Sequence, residues 1–133
     1  MNKFAQAFSI SATLVLLTGA MAFADSSAAL KALDTDKDGT IDLKEAEAGA
    51  AKVFKSLDTD NDGTLDAKEL AGRLDAAGFK AADPDNDGTL DEKEYMALVE
   101  KAFKAAEVKV GGTKLDLKEL DSPAGQALLK LIQ

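Results

Sequence analysis

Three stretches of this chain can be laid over one another without a gap. They read Asp34-Thr-Asp-Lys-Asp-Gly-Thr-Ile-Asp-Leu-Lys-Glu45, Asp58-Thr-Asp-Asn-Asp-Gly-Thr-Leu-Asp-Ala-Lys-Glu69 and Asp83-Pro-Asp-Asn-Asp-Gly-Thr-Leu-Asp-Glu-Lys-Glu94. Their starts lie 24 and then 25 residues apart. A worn fourth copy, over about 107–119, ends in Lys114-Leu115-Asp116-Leu117-Lys118-Glu119, with its Glu 25 residues after Glu94. So short a period demands repeated supersecondary units, each of which must gather five carboxylates in one loop. The rest of the composition narrows the chemistry. Among 133 residues there are Lys+Arg 16 against Asp+Glu 24, a net charge of −8, and no His, Cys or Trp. Imidazole and thiolate chemistry and disulfide staples are excluded, and hard oxygen-seeking cations become the natural partners. An acidic chain is a poor partner for nucleic acid or anionic lipid.

The three intact copies fit the EF-hand loop pattern D-x-[DN]-x-[DN]-G-x5-E. A hard cation takes six to eight oxygens, and each position of the loop has a part in supplying them. Positions 1, 3 and 5 are Asp34, Asp36 and Asp38; Asp58, Asp60 and Asp62; Asp83, Asp85 and Asp87. Gly39, Gly63 and Gly88 allow the sharp turn at position 6. Thr40, Thr64 and Thr89 at position 7 offer main-chain carbonyls, and Glu45, Glu69 and Glu94 at position 12 close the sphere. Ile41, Leu65 and Leu90 at position 8 are apolar, as expected where two loops meet through a short strand. The bland alternative is a solvated acidic face rich in Asp-Gly turns, but three copies in register are not a chance product.

Twelve residues separate Glu45 from Asp58, and thirteen separate Glu69 from Asp83. Twelve helical residues span about 18 Å, room for one helix and not two. Each connecting helix is therefore expected to leave one loop and lead into the next. Phe54 and Phe79 both stand four residues before a loop, and Phe103 does so if the worn loop starts at Glu107 with one inserted residue. Leu70 and Leu74, then Tyr95, Leu98, Val99 and Ala102, are spaced as a helical core face. Gly49, Gly72 and Gly78 weaken the helices by about 1 kcal/mol each relative to Ala. Ser122-Pro123 reads as a cap and first-turn proline opening a last helix through Leu128, Leu131 and Ile132. The expected fold is all-α, a small bundle with closely spaced loops that share connecting helices.

Residues 1–24 read as a cleaved export signal: Lys3, an apolar run centred on Ile10 to Leu17, and the small-residue site Ala22-Phe23-Ala24. The rival, an uncleaved anchor, is diluted by Gln6, Ser9, Ser11, Thr13 and Thr18 and lacks stop-transfer charges. Loss of Lys3 leaves residues 25–133 with one charge more negative than −8, that is −9. Only Phe54, Phe79, Tyr95 and Phe103 remain as aromatics. So sparse a core suggests marginal stability without a further source of free energy.

The export signal, the 12- and 13-residue spacing and the ending Ser122-Pro123-Ala124-Gly125-Gln126-Ala127-Leu128 together resemble lanmodulin, a family of periplasmic EF-hand proteins that bind lanthanide ions selectively over calcium. The resemblance runs from about Leu30 to Gln133. Asp42, Asp66 and Asp91 at position 9 match it, as does Pro84 at position 2 of the third loop. It implies that the second loop pairs with the third and the first lies beside the fourth. The chain departs from the family at Thr35 and Thr59, which replace the position-2 proline, and in the fourth loop, where Val108, Lys109 and Val110 stand in place of early ligands. Three metal sites are therefore expected.

Each intact loop carries five carboxylates at ligand positions. Attraction scales with ion charge, and crowded carboxylates repel less when more of their charge is neutralised, so both effects favour a trivalent ion. Calcium would use the same donors. The expected function is a periplasmic metal-binding protein for lanthanide(III) or calcium ions, acting as carrier, buffer or switch with metal-coupled folding. The alternative is a generic calcium sensor that docks a protein partner, although beyond residue 24 only Met96 would serve a methionine-lined groove. An enzyme is not expected, because every clustered carboxylate is already explained as a ligand.

Overall fold

The computed structural model describes residues 25–109 and 111–133. The expected export signal lies outside the described residues. In chain order the elements are α1 (Ser26–Leu33), β1 (Ile41–Asp42), α2 (Leu43–Leu57), β2 (Thr64–Asp66), α3 (Ala76–Ala82), β3 (Thr89–Asp91), α4 (Glu92–Ala106), β4 (Lys114–Leu115), α5 (Leu117–Leu120) and α6 (Pro123–Ile132). The strands are short, and each belongs to a loop copy. The all-α expectation is met.

Acidic and hydroxyl side chains set where the helices begin. Asp42, Asp91 and Asp116 cap α2, α4 and α5, each in a reciprocal capping box with the Glu three residues on. Asp75 caps α3 through the Gly78 amide at 2.7 Å, and Ser122 caps α6 ahead of Pro123. The helices end in matching fashion. The amides of Asp34, Asp58, Asp83 and Glu107 each donate to the carbonyl four residues back, at Leu30, Phe54, Phe79 and Phe103. Glu107 thus marks the start of the worn loop, as the position of Phe103 predicts.

The first connection is a single helix, α2, capped at Asp42 in the first loop and ending at Asp58 in the second. Its 15 residues form a rod of about 22 Å, so the two loops it joins lie at opposite ends. The second connection corrects the expectation of one helix over 70–82. A turn runs from residue 67 to 73, Gly72 adopts φ +79°, and a new helix starts after Asp75. An unbroken rod would hold the second and third loops apart. The reversal at Gly72 brings them side by side.

The pairing is that of the resemblance. β2 and β3 form an antiparallel ribbon with Leu65 opposite Leu90, and β1 pairs with β4 with Ile41 opposite Leu115. All four of these residues are fully buried. The helices α2, α4 and α6 pack on one another, around Val53, Phe54, Tyr95, Val99, Phe103, Leu128 and Leu131. Phe54 meets Tyr95 edge-on at 5.6 Å, and the Tyr95 hydroxyl donates to the Leu131 carbonyl at 2.6 Å. Burial pushes that phenol up to about 12. Arg73, in the turn after the second loop, donates to the carbonyls of Lys130 and Gln133 and so ties that turn to the end of α6.

Two glycines are set by close approach. A Cβ on Gly125 would lie 2.1 Å from the Glu119 carbonyl oxygen and 2.5 Å from the Leu120 Cα. One on Gly49 would meet the Ile132 carbonyl at 2.7 Å. The helix weakening that Gly49 brings is thus the condition for α2 to touch the end of α6.

Candidate metal centres

In each intact loop the chain folds back so that positions 1, 3 and 12 converge. Asp34, Asp36 and Glu45 each bring a carboxylate oxygen within 4.8 Å of the others, as do Asp58, Asp60 and Glu69, and Asp83, Asp85 and Glu94. The turn that achieves this needs left-handed backbone twice. Position 4 adopts it at Lys37, Asn61 and Asn86 (φ 57–61°), and position 6 at Gly39, Gly63 and Gly88. Asparagine and glycine suit that conformation; Lys37 adopts it at some cost.

Position 1 organises the turn. Oδ1 of Asp34, Asp58 and Asp83 accepts the position-5 amide, and Oδ2 accepts the position-6 glycine amide at 2.9, 3.1 and 3.1 Å. Position 5 is bound to position 7: Asp38, Asp62 and Asp87 accept both the amide and the hydroxyl of Thr40, Thr64 and Thr89. Position 9 serves as helix cap, with Asp42, Asp66 and Asp91 accepting the amide of Glu45, Glu69 and Glu94 at 2.8–2.9 Å. Of the five carboxylates expected in each set, those at positions 1, 3 and 12 converge directly, and all five also accept amides of the loop's own backbone.

The charge distribution records the crowding. Asp36 and Asp60 receive the amides of Asp38 and Asp62, which lower their pKa values. Desolvation and the neighbouring carboxylates outweigh this, and both titrate above the usual aspartate range. Hydrogen bonds dominate elsewhere. Asp87 is held low by Thr89, and Asp66 by the Glu69 and Lys68 amides. Glu69 is held low by the Thr59 amide and then the Asp66 amide. An all-oxygen donor set with raised aspartates suits a hard cation, whose charge relieves the repulsion.

Three features escaped the sequence reading. The first concerns position 2. The Thr35 amide and hydroxyl donate to Glu45 Oε1 at 2.6 and 3.0 Å, and those of Thr59 donate to Glu69 Oε1 at 2.9 and 3.0 Å. Pro84 offers Glu94 neither donor. The second is the frame that the worn loop keeps despite the loss of early ligands expected from its sequence. The Val108 amide reaches Glu119 at 3.1 Å, the Asp116–Glu119 capping box is intact, and Lys109 pairs with Asp116 at 2.9 Å. That lysine holds Asp116 below the usual aspartate range. The third is Lys114, which pairs with Asp38 of the first loop and lowers its pKa. The D-x-x-E spacing signals the capping boxes in the sequence; no local pattern signals a lysine reaching into another loop.

These loops agree with what sequence comparison finds. The family model described as EF hand matches residues 27–45 and 50–72, and that described as EF-hand domain pair matches residues 78–102. A search of curated proteins returns no match to the chain. The matched segments contain the three convergent carboxylate trios and the last turns of the helices that lead into them, and stop before the worn copy. With helix, acidic loop and short strand repeated three times over, the chain belongs to the EF-hand superfamily.

Proposed function

We propose that the protein is a periplasmic carrier, buffer or switch for lanthanide(III) or calcium ions, with folding coupled to metal binding. The observation that carries this reading is the convergence of three identical Asp-Asp-Glu trios within 4.8 Å. The carboxylates of positions 1, 3, 5, 9 and 12 and the carbonyls of Thr40, Thr64 and Thr89 would hold the ion, which supplies positive charge where the raised Asp36 and Asp60 register its need. Three trivalent ions would bring residues 25–133 from −9 to 0, and three calcium ions only to −3. The charge balance favours the trivalent ion, as does the resemblance to lanmodulin in Pro84 and the position-9 aspartates. The export signal read at residues 1–24 supports the periplasmic location.

Terbium luminescence tests the metal. Bound terbium that survives a large calcium excess supports the lanthanide reading, and ready displacement leaves a calcium protein. Coupled folding is tested by circular dichroism: full helicity in chelator-treated protein, with no rise in melting point on adding metal, would refute it. A second reading, a calcium sensor that docks a protein, is favoured by an apolar groove of about 420 Å³ between α3 and α4. It is lined by Ala81, Ala97, Leu98 and Ala105 and opens beside Pro84 and Glu94. EF-hand domains typically bind metals rather than catalyse reactions, and an enzyme is not proposed.

A further inference from the structure

The register of the β1–β4 ribbon makes the first loop unlike the other two, given the metal-binding reading on which this inference rests. Counting back from Glu119, Lys114 stands where the intact copies carry Thr40, Thr64 and Thr89. In the β2–β3 ribbon this position is used reciprocally, with Thr64 opposite Asp91 and Thr89 opposite Asp66. In the β1–β4 ribbon Lys114 lies opposite Asp42, the position-9 residue of the first loop. Threonine is short and neutral. Lysine carries an ammonium on four methylenes, long enough to cross the ribbon into the neighbouring ligand set. The Lys114 Nζ donates to Asp38 Oδ2 and lies 4.0 Å from Asp36 Oδ2. Among the described residues no ion pair brings a lysine to the ligands of the second or third loop. Lys109, also in the worn loop, pairs within that loop.

We propose that Lys114 is a tethered counter-ion that lowers the first loop's affinity for cations, so that this loop fills last although its ligands repeat those of the other two. The ammonium engages two of the carboxylates the ion needs and repels the ion itself. Repulsion grows in proportion to ion charge, so the penalty is larger for a trivalent than for a divalent ion. Lys114 therefore sets selectivity at the first site as well as its rank.

The test is a titration of the 15N-labelled protein with calcium, and with lanthanum in a chelator buffer. The amides of Gly39, Gly63 and Gly88 report the three loops separately, since each donates to the first Asp of its own loop. In the unaltered protein the Gly39 midpoint should come at the highest ion concentration. Lys114→Gln should tighten the Gly39 midpoint about three-fold for calcium and about five-fold for lanthanum, as expected for losing an exposed ion pair. The Gly63 and Gly88 midpoints should stay in place. Lys114→Arg, which keeps the charge, should keep the original order, and 0.5 M KCl should shrink the effect of the glutamine variant. An unmoved Gly39 midpoint in Lys114→Gln, with circular dichroism unchanged, overturns the proposal. So does an equal shift of all three glycines, which would mark a diffuse charge effect. If none of the three glycines responds to either ion in any variant, the metal-binding reading itself fails, and this inference with it.

Discussion

The two ribbons of this molecule are built on one plan and equipped differently. At one end Leu65 and Leu90 join two intact loops; at the other Ile41 and Leu115 join an intact loop to a worn one. The worn loop retains what the fold requires: the apolar strand residue, the capping box and the hydrogen bond from the Val108 amide to Glu119. It gives up the acids that an ion requires, pairs Lys109 with its own Asp116 and sends Lys114 to Asp38 of the intact loop across the ribbon. Scaffolding and ligation are therefore separable duties of an EF-hand loop. A loop can lose the second and still support its neighbour, because ribbon and cap depend on only a few residues.

Predictions follow from pressing on that difference, beginning with the largest effect. Glu94→Gln removes the closing carboxylate of the third loop. It should weaken that site about 100-fold, as loss of a charged ligand worth some 3 kcal/mol would, and loosen the second site through the Leu65–Leu90 contact. Glu45→Gln at the other end should leave the Gly63 and Gly88 midpoints in place. Equal disturbance of all sites by both variants would break the distinction between the ends. Gly125→Ala puts a methyl into the backbone of Glu119 and Leu120 and should cost about 3 kcal/mol, read in chemical denaturation. It should act first on amide exchange in α5 and α6.

Position 2 provides a smaller, reciprocal pair. Pro84→Thr restores to Glu94 the two donors that Glu45 and Glu69 already have, and should weaken the third site about five-fold, the worth of one hydrogen bond. Thr59→Pro should strengthen the second by a similar factor, each measured by competition titration. The smallest effect is in the pH dependence of chelator-treated protein. Asp36 and Asp60 titrate high in the folded chain, so their contribution to stability is complete below the unfolded value and is lost as pH rises through the folded one. Asp38, Asp66, Glu69, Asp87 and Asp116 titrate low, and theirs is lost as pH falls through the folded values. The melting temperature should therefore pass through a shallow maximum near the unfolded carboxylate values, about pH 4. A steady fall from neutrality downward would contradict it.

Much of this is legible in the sequence alone. The loop bounds, the Ser122 cap, the helical face from Tyr95 to Ala102 and the start of the worn loop at Glu107 all follow from local rules. Those rules act within a turn or two of chain, and the residues that decide them lie next to each other. The reversal at Gly72 was half legible. The glycine was visible as a weak point, but a helix penalty of about 1 kcal/mol does not by itself break a helix. The break is decided by the Asp75 cap, the Arg73 tie to α6 and the burial won when Leu65 meets Leu90. The reach of Lys114 into the first loop was hidden, because it depends on a pairing between segments more than seventy residues apart.

The rods α2 and α4 each run from one ribbon to the other, and about 22 Å of helix far exceeds the roughly 8 Å over which charge is felt in physiological salt. Electrically, the molecule is two devices that cannot hear each other. Any conversation between the first site and the other two has to be mechanical, carried by helices that turn or shift as stiff bodies. A signal of that kind would survive high salt and would be silenced by a flexible break in either rod.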